Sequence, residues 1–289
     1  MYGECHAHIF MNGYNYQEAV KLHKGHVDEE NIRRWFREYQ KRGVAFIRDG
    51  GDALGVSERA ASIAEEYGIT YRTPVFAIHK KGHYGGIVGR GFETMKEYRE
   101  LVEEVKKRRG DFIKIMLSGI MDFQCFGVVT GTPLALDEIR EMIHIAHEEG
   151  FSVMAHVNTA ETVRDAVLAG ADSIEHGNYL DKDCIQAMAQ SQAVWVPTLA
   201  TIWNLIGCGR FPDEELKKIC ESAEKNLCDA YEAGVCLALG SDAGAYQVPH
   251  GQGIEDEAEI FKRILGESER LRKVLEQGEM QIRAKFQRN

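Results

Sequence analysis

Short apolar runs alternate along the chain with stretches whose apolar side chains recur at helical spacing. Ile32, Trp35, Phe36 and Tyr39 fall at i, i+3, i+4 and i+7, one face of an amphipathic helix. That helix stops at Gly43, and residues 44–47 follow as a short buried strand. A helix over about 57–67 ends at Gly68, before a strand over 69–76. A third carries Met95, Tyr98, Val102 and Val105 on one face and ends at Gly110, before a strand over 112–116. A fourth, over 136–149, ends at Gly150 before a strand over 151–155. A fifth opens at Thr159 as its N-cap and ends at Gly170 before a strand over 171–174. A helix from Asp181 leads to Val194-Trp195-Val196, and a long one from Asp213 ends at Gly234 before a strand over 235–239. Glycine just past a helix end adopts the left-handed conformation cheaply. With the stretch around His6 and His8 counted as the first, there are eight apolar strands. Strands that alternate with helices predict a parallel sheet. Eight such units predict a closed (β/α)8 TIM barrel, an α/β single domain over residues 1–262, rather than an open doubly wound sheet. The charged, helix-patterned tail over 263–289 reads as a helical extension for packing or oligomerisation, which leaves a homo-oligomer open.

Composition narrows the partners. The chain has 289 residues, 44% of them hydrophobic, enough for one large core. A net charge of -10 without a long basic block argues against nucleic acid. No apolar run reaches the roughly 18 residues of a membrane span, and no basic-then-apolar leader opens the chain. Seven cysteines, an odd number with no Cys-x-x-Cys, fit reduced thiols and a cytoplasmic location. The expected partner is a small-molecule substrate.

Chemistry concentrates where strands end. In a strand, alternate side chains share a face, so His6 and His8 project together while Cys5 and Ala7 turn away toward the helices. Two imidazoles on one face are a metal-ligand pair, although a chain with 11 histidines holds a His-x-His by chance easily enough. Lys114 lies inside an apolar strand, where it either snorkels, pairs with an acid or serves function. The fifth and sixth strands end at His156 and His176, each also readable as a hydrogen-bonded core histidine. The eighth ends at Asp242 in Gly-Ser-Asp-Ala-Gly, where a turn role is the plain alternative. In a barrel these ends converge on one mouth. One metal site explains all six residues, and imidazole with carboxylate suits zinc or a similar divalent ion. His144 and His147 fall on a helix, and His23 and His26 in a loop without ligand spacing.

The motifs Cys-His-Ala-His (5–8), Asp-Phe-Ile-Lys-Ile-Met-Leu-Ser-Gly (111–119), Val-Met-Ala-His-Val-Asn (153–158), Ile-Glu-His-Gly-Asn (174–178) and Leu-Gly-Ser-Asp-Ala-Gly (239–244) resemble the amidohydrolase superfamily. The likeness is to its imidazolonepropionase-like and prolidase-like branch, with Val-Ala-Phe-Ile-Arg-Asp-Gly-Gly (44–51) similar to that family's second strand. The resemblance implies a binuclear centre with two divalent ions, typically zinc. His6 and His8 would hold one ion, His156 and His176 the other. Lys114, carboxylated by CO2, would bridge both as a carbamate, and Asp242 would complete the first site. Relatives of this branch usually carry a small β-sandwich, for which no strand-rich segment is expected here.

The activity implied is hydrolysis of a C–N amide bond in a small cyclic amide or dipeptide-like compound. A metal-bridging hydroxide would attack, and Asp242 would shuttle the proton to the leaving group. His83 and Tyr84, in the Gly-rich loop over 79–91, are the expected catalytic donors, with a flexible surface loop as the alternative. Asn158, Asn178, Trp203, Tyr246 and His250 are expected on the rim loops as substrate contacts. Arg48 is expected either to hold a substrate carboxylate or to brace the barrel. A lactonase or phosphotriesterase-like hydrolase would use the same ligands, and a metal-binding barrel without turnover is the alternative outside enzymes. Superfamily deaminases and lyases tend to lack the bridging lysine, so Lys114 counts against them.

Overall fold

The computed structural model describes residues 2–288. Ten strands and eleven α-helices follow one another in the order β1 (Glu4–Ala7), α1 (Tyr16–Leu22), α2 (Glu29–Lys41), β2 (Phe46–Asp49), α3 (Val56–Ile63), β3 (Thr70–Arg72), β4 (Ala77–Lys80), β5 (Gly89–Phe92), α4 (Met95–Lys107), β6 (Ile113–Met116), α5 (Leu136–Glu148), β7 (Val153–Val157), α6 (Ala160–Leu168), β8 (Ser173–His176), α7 (Lys182–Ala189), β9 (Val194–Val196), α8 (Ala200–Trp203), α9 (Asp213–Ala233), β10 (Cys236–Leu237), α10 (Gln252–Leu265) and α11 (Glu269–Lys285). Every strand pair is parallel, in the orders β1-β2-β3 and β10-β9-β8-β7-β6-β4-β5. The seam between β10 and β1 is bridged by Cys5 N–H donating to Leu239 O (3.0 Å), Asp242 N–H to His6 O (2.7 Å) and an Ala7–Ala243 bridge. The expected third strand is divided: β3 pairs with β2, and β4 pairs with β6. Pro74 and Val75, the latter at φ 69°, interrupt it, because proline lacks the ladder donor. β5, which no sequence signal announced, adds a parallel strand to the free edge of β4.

Period-2 alternation sorts each strand into two layers. Phe46 and Arg48, Phe112 and Lys114, and Met154 and His156 are i, i+2 pairs on shared faces. The lower member of each joins a cluster with Val194, Val196, Ala238, Ile282 and Phe286, and the upper member is polar and buried. The residues between them, Ile47, Ile113, Ala155 and Ile174, join the larger core that the helices cover. α11 supplies Ile282, and its C-cap is Phe286, so the tail plugs the lower end of the strands. Its close approach depends on Gly278, where an added Cβ would lie 1.9 Å from Leu237 O. α10 runs through Leu265, across the expected division near residue 262.

Five of the six glycine junctions are left-handed as expected, at Gly43, Gly68, Gly150, Gly170 and Gly234. At the sixth, Arg109 takes the positive φ (61°), and Gly110 instead permits close packing on Val105. Thr159 precedes α6 but makes no side-chain cap bond there. Cys5 does not face the helices. β1 carries a bulge, Glu4 pairing with Ile47 and Ala7 with Asp49, so three steps on one strand match two on the other. The extra residue lets Cys5 join the lower cluster while His6 still points into the ligand cluster. The seven cysteines are free thiols, and no described helix is long and apolar enough to cross a membrane.

Candidate metal centre

Four imidazoles, Lys114 and Asp242 meet above the lower plug. His6 Nε2 and His8 Nε2 lie 3.7 and 3.6 Å from Asp242 Oδ1. Lys114 Nζ lies 3.5 Å from His6 Nε2. The rings of His6 and His176 are 5.1 Å apart, and those of His156 and His176 are 4.6 Å apart. All six expected ligands therefore converge. The donor trio His6, His8 and Asp242 is compact enough by itself to hold a cation. Asp242 Oδ1 is buried and has no hydrogen-bond partner among the described residues. A carboxylate oxygen left unpaired beside imidazole nitrogens is costly unless something cationic completes it. The donor set thus fits divalent metal.

Three of the four rings are oriented from outside the cluster, while His8 Nδ1 has no partner among the described residues. His6 Nδ1 lies 2.8 Å from Glu175 Oε2, which leaves Nε2 for the centre. His156 Nε2 lies 3.1 Å from Gly119 O, leaving Nδ1. His176 Nδ1 lies 2.7 Å from Thr198 Oγ1, leaving Nε2. An oxygen partner on the far nitrogen fixes tautomer and ring angle, as metal-binding histidines require. Glu4 secures the strand ends, accepting from Ser241 N–H (2.8 Å) and His6 N–H (3.2 Å). Gly50 allows His8 its place, since a Cβ there would lie 2.3 Å from the His8 ring. His176, Thr198 and Asp242 all adopt positive φ (66°, 54° and 61°), backbone strain gathered around the cluster.

Burial sets the electrostatics. It pulls the His8 and His156 imidazoles down to about 3, with the Lys114 charge adding to the effect. His6 and His176 are lowered for the same first reason. All four rings are therefore neutral and able to donate a lone pair. Burial pulls the Lys114 ammonium down to about 8, against the opposing charges of Glu175 and Asp242. It pushes the Asp242 carboxyl up to about 7, partly offset by Lys114.

The cluster floors a cavity of about 710 Å³. His8, Lys114, His156, His176 and Asp242 line its base, and Tyr84, Asn158, Asn178 and Tyr246 line its sides. Tyr84 stands over His156 with ring centroids 5.1 Å apart, and burial raises its phenol above the usual range. Asn158 donates to Gly119 O (2.9 Å) and accepts from Asn178 Nδ2 (2.9 Å), so these two amides steady each other at the wall.

Five expected site residues are not part of the cavity lining; one of them, His6, lies buried just behind it, against Asp242 and Lys114. His83 turns to Thr132 O (2.8 Å), held by the loop that precedes α5. Trp203 packs between α8 and its neighbours, under the Arg263 guanidinium at 5.6 Å. His250 is tied on both nitrogens, to Met11 O (2.8 Å) and Tyr39 Oη (3.1 Å). Arg48 is wholly buried below the ligands, where it donates to Cys5 O, Ser173 Oγ and Glu175 Oε1, the bracing arrangement rather than a substrate contact.

Several site residues escaped the sequence reading. Glu175 precedes a ligand histidine, and its i+2 relation to Ser173 on an inward face was the available signal. Thr198 and Glu4 carried no signal. Arg210, in a loop without periodicity, lines the cavity mouth and makes no ion pair among the described residues. Its guanidinium stacks 4.6 Å from the Tyr246 ring.

Comparison with known proteins bears on the family and the fold. The profile of the Amidohydrolase family matches residues 4–278. An uncharacterized protein of Mycobacterium tuberculosis (strain ATCC 25618 / H37Rv) is 32% identical over 164 residues, 54% of this chain and 43% of that protein. Ochratoxinase of Aspergillus niger is 23% identical over 241 residues, 80% of this chain and 46% of the enzyme. The match thus spans less than half the length of these curated relatives. Among solved structures, a prolidase complexed with N-methylphosphonate-L-proline superposes with a TM-score of 0.73 at 22% identity, covering 98% of this chain and 74% of that one. The ochratoxinase structure superposes with a TM-score of 0.74 at 20% identity, covering 94% and 68%.

Proposed function

The chain belongs to the amidohydrolase family, and from that premise we propose that it is a binuclear metal-dependent hydrolase of amide C–N bonds in small dipeptide-like compounds. The observation that carries the reading is the convergence of four neutral imidazoles, Lys114 and the unpaired Asp242 Oδ1 at the base of one cavity, with His6 buried just behind the lining. Divalent ions held there, zinc by the chemistry of the donors, supply a polarised carbonyl and an activated water.

The chain's own residues do the rest. His6, His8 and Asp242 would hold one ion, and His156 and His176 the other. Lys114 stands between the pairs, and its lowered pKa provides the neutral amine that carboxylation by CO2 needs. A carbamate there would convert a repelling cation into an anionic oxygen donor. Asp242 would take the water proton on its carboxylate and return it to the departing amine. Tyr84 donates its phenolic proton as a hydrogen bond to the developing oxyanion. His83, turned away to Thr132, has no part.

Arg210 points to the substrate. A guanidinium stacked on Tyr246 at the mouth, with no acidic partner, suits a carboxylate held in two-pronged fashion. The proline ligand of the prolidase neighbour carries such a group, which supports an amide with a carboxylate-bearing leaving part. The test is metal analysis followed by a hydrolysis screen over dipeptides, N-acyl amino acids, their carboxamides and lactones. About two ions per chain and turnover of the free acids are expected. Arg210→Met should raise KM for the free acid by about tenfold to a hundredfold, as loss of a charge-assisted pair does. Turnover of lactones with no amide cleavage would overturn the substrate assignment.

A further inference from the structure

Arg48 is among the largest wholly buried side chains, and it does not line the cavity above the ligands. Its guanidinium donates on every side: Nε to Cys5 O (2.7 Å), Nη1 to Ser173 Oγ (2.8 Å) and Nη2 to Glu175 Oε1 (2.8 Å). From below it rests on the Phe286 ring, at 4.4 Å, with Phe112 at 6.0 Å. Ser173 Oγ donates to the same Glu175 oxygen, so Oε1 is fully engaged. The other oxygen, Oε2, faces His6 Nδ1 at 2.8 Å, and neither of these atoms has another partner among the described residues. A line of contacts therefore runs from Phe286, just beyond α11, through Arg48 and Glu175 to His6.

We propose that Arg48 is a positioning residue for the first metal: seated on Phe286, it fixes the Glu175 carboxylate against His6 Nδ1 and so aims Nε2 at the ion. This rests on the metal-dependent reading above. The geometry makes the arrangement specific to one site. The partners of His156 and His176 are Gly119 O and Thr198 Oγ1, on other elements. Loosening Arg48 should thus weaken the His6–His8 position and spare the His156–His176 position. The chain's last helix becomes part of the metal support, beyond its role as a hydrophobic plug.

The experiment titrates metal-free full chain with Co2+, following the visible d–d bands, and repeats the affinities with Zn2+ in competition with a chromophoric chelator. The variants are Arg48→Met, Glu175→Gln, the double variant R48M/E175Q, and Phe286→Leu. Wild type should bind two ions. R48M should bind one ion about tenfold to a hundredfold more weakly, as loss of an outer-shell partner does, and the other within about threefold of wild type. The double variant separates folding from positioning, since it leaves no buried charge unpaired. It should regain thermal stability lost by R48M while its weak site stays weak, with altered band positions. Phe286→Leu keeps an apolar seat and should shift the same site by less. Unchanged affinities and spectra in R48M, E175Q and the double variant would overturn the proposal and leave the metal reading intact. Equal weakening of both sites, recovered in the double variant, would show a purely structural role. A wild-type chain that takes up no metal would overturn both readings together.

Discussion

At the scale of single residues, two buried groups set apart metal retention from turnover. Lys114 reaches into the histidine cluster, 3.5 Å from His6 Nε2, and as an ammonium it would repel a cation. Lys114→Ala should therefore leave chain with less than half the wild-type metal, read by elemental analysis after gel filtration. Asp242→Asn keeps a donor oxygen of the same size but cannot carry a proton. It should retain metal and lose about 10²- to 10⁴-fold in kcat, the usual worth of a positioned acid–base. If D242N hydrolysed substrate at the wild-type rate, the shuttle role assigned to Asp242 would be wrong. Another buried acid lies outside the ligand set. Glu257, on α10, accepts from Ala200 N–H (2.6 Å) at the start of α8, and its second oxygen is unpartnered. Burial pushes its carboxyl up to about 8. Its folded pKa thus exceeds the unfolded one, near 4.3, and the folded state binds more protons between those values. Stability from this group is complete below about pH 4 and is lost as pH rises through 8. Glu257→Gln should remove that slope: its advantage over wild type, about 5 kcal/mol by urea unfolding at pH 8.5, should vanish by pH 4. A constant difference across the range would contradict the assignment.

At the scale of elements, the regular spacing of apolar residues carried most of what the sequence disclosed. Helices α2, α4, α5 and α9 announce themselves because one face meets the sheet, so burial writes a 3.6-residue period into the chain. Helices α1 and α8 are short and carry little such pattern, and they were not foreseen. The metal ligands were legible for a related reason: strand ends are where alternation is broken by His, Lys and Asp among apolar neighbours. Rim residues such as Arg210 and His250 sit on loops, and Trp203 ends the four-residue α8, where no period constrains direction, so type alone could not separate a cavity contact from packing. The β1 bulge was hidden because the sequence Cys-His-Ala-His fits plain alternation, and only the pairing with β2 exposes the extra residue. Gly278 shows the opposite case, a single residue that decides how an element docks. Its α-carbon faces Leu237 O, and a methyl group would collide with backbone that has no rotamer to change. Gly278→Ala should therefore destabilise by about 3 kcal/mol or more despite its better helix propensity. Thermal unfolding measures this, and a stabilised variant would mean that α11 can slide on β10 freely.

At the scale of the whole molecule, the strands form a container with two unlike ends. Phe46, Phe112, Met154, Val194 and Val196, sealed by Ile282 and Phe286, close the lower end with apolar contacts. The upper end gathers imidazoles, an amine and a carboxyl that burial has stripped of water. Such a centre costs stability when it is bare, because Asp242 Oδ1 is buried with neither solvent nor a partner among the described residues. Metal binding to the folded state alone removes that cost and adds RT ln(1 + [L]/Kd), about 2.7 kcal/mol per site at a hundredfold excess over Kd. For a domain of this size each kcal/mol raises the unfolding midpoint by about 2–4 °C, so two filled sites should raise it by at least about 10 °C. Chelated, dialysed protein should melt at the lower temperature, and added Zn2+ should restore the higher one in proportion to the logarithm of its concentration. The same titration on His8→Ala should recover only about half of the rise, since one position remains. A midpoint indifferent to metal in the wild-type chain would remove the thermodynamic basis for placing ions in this cluster.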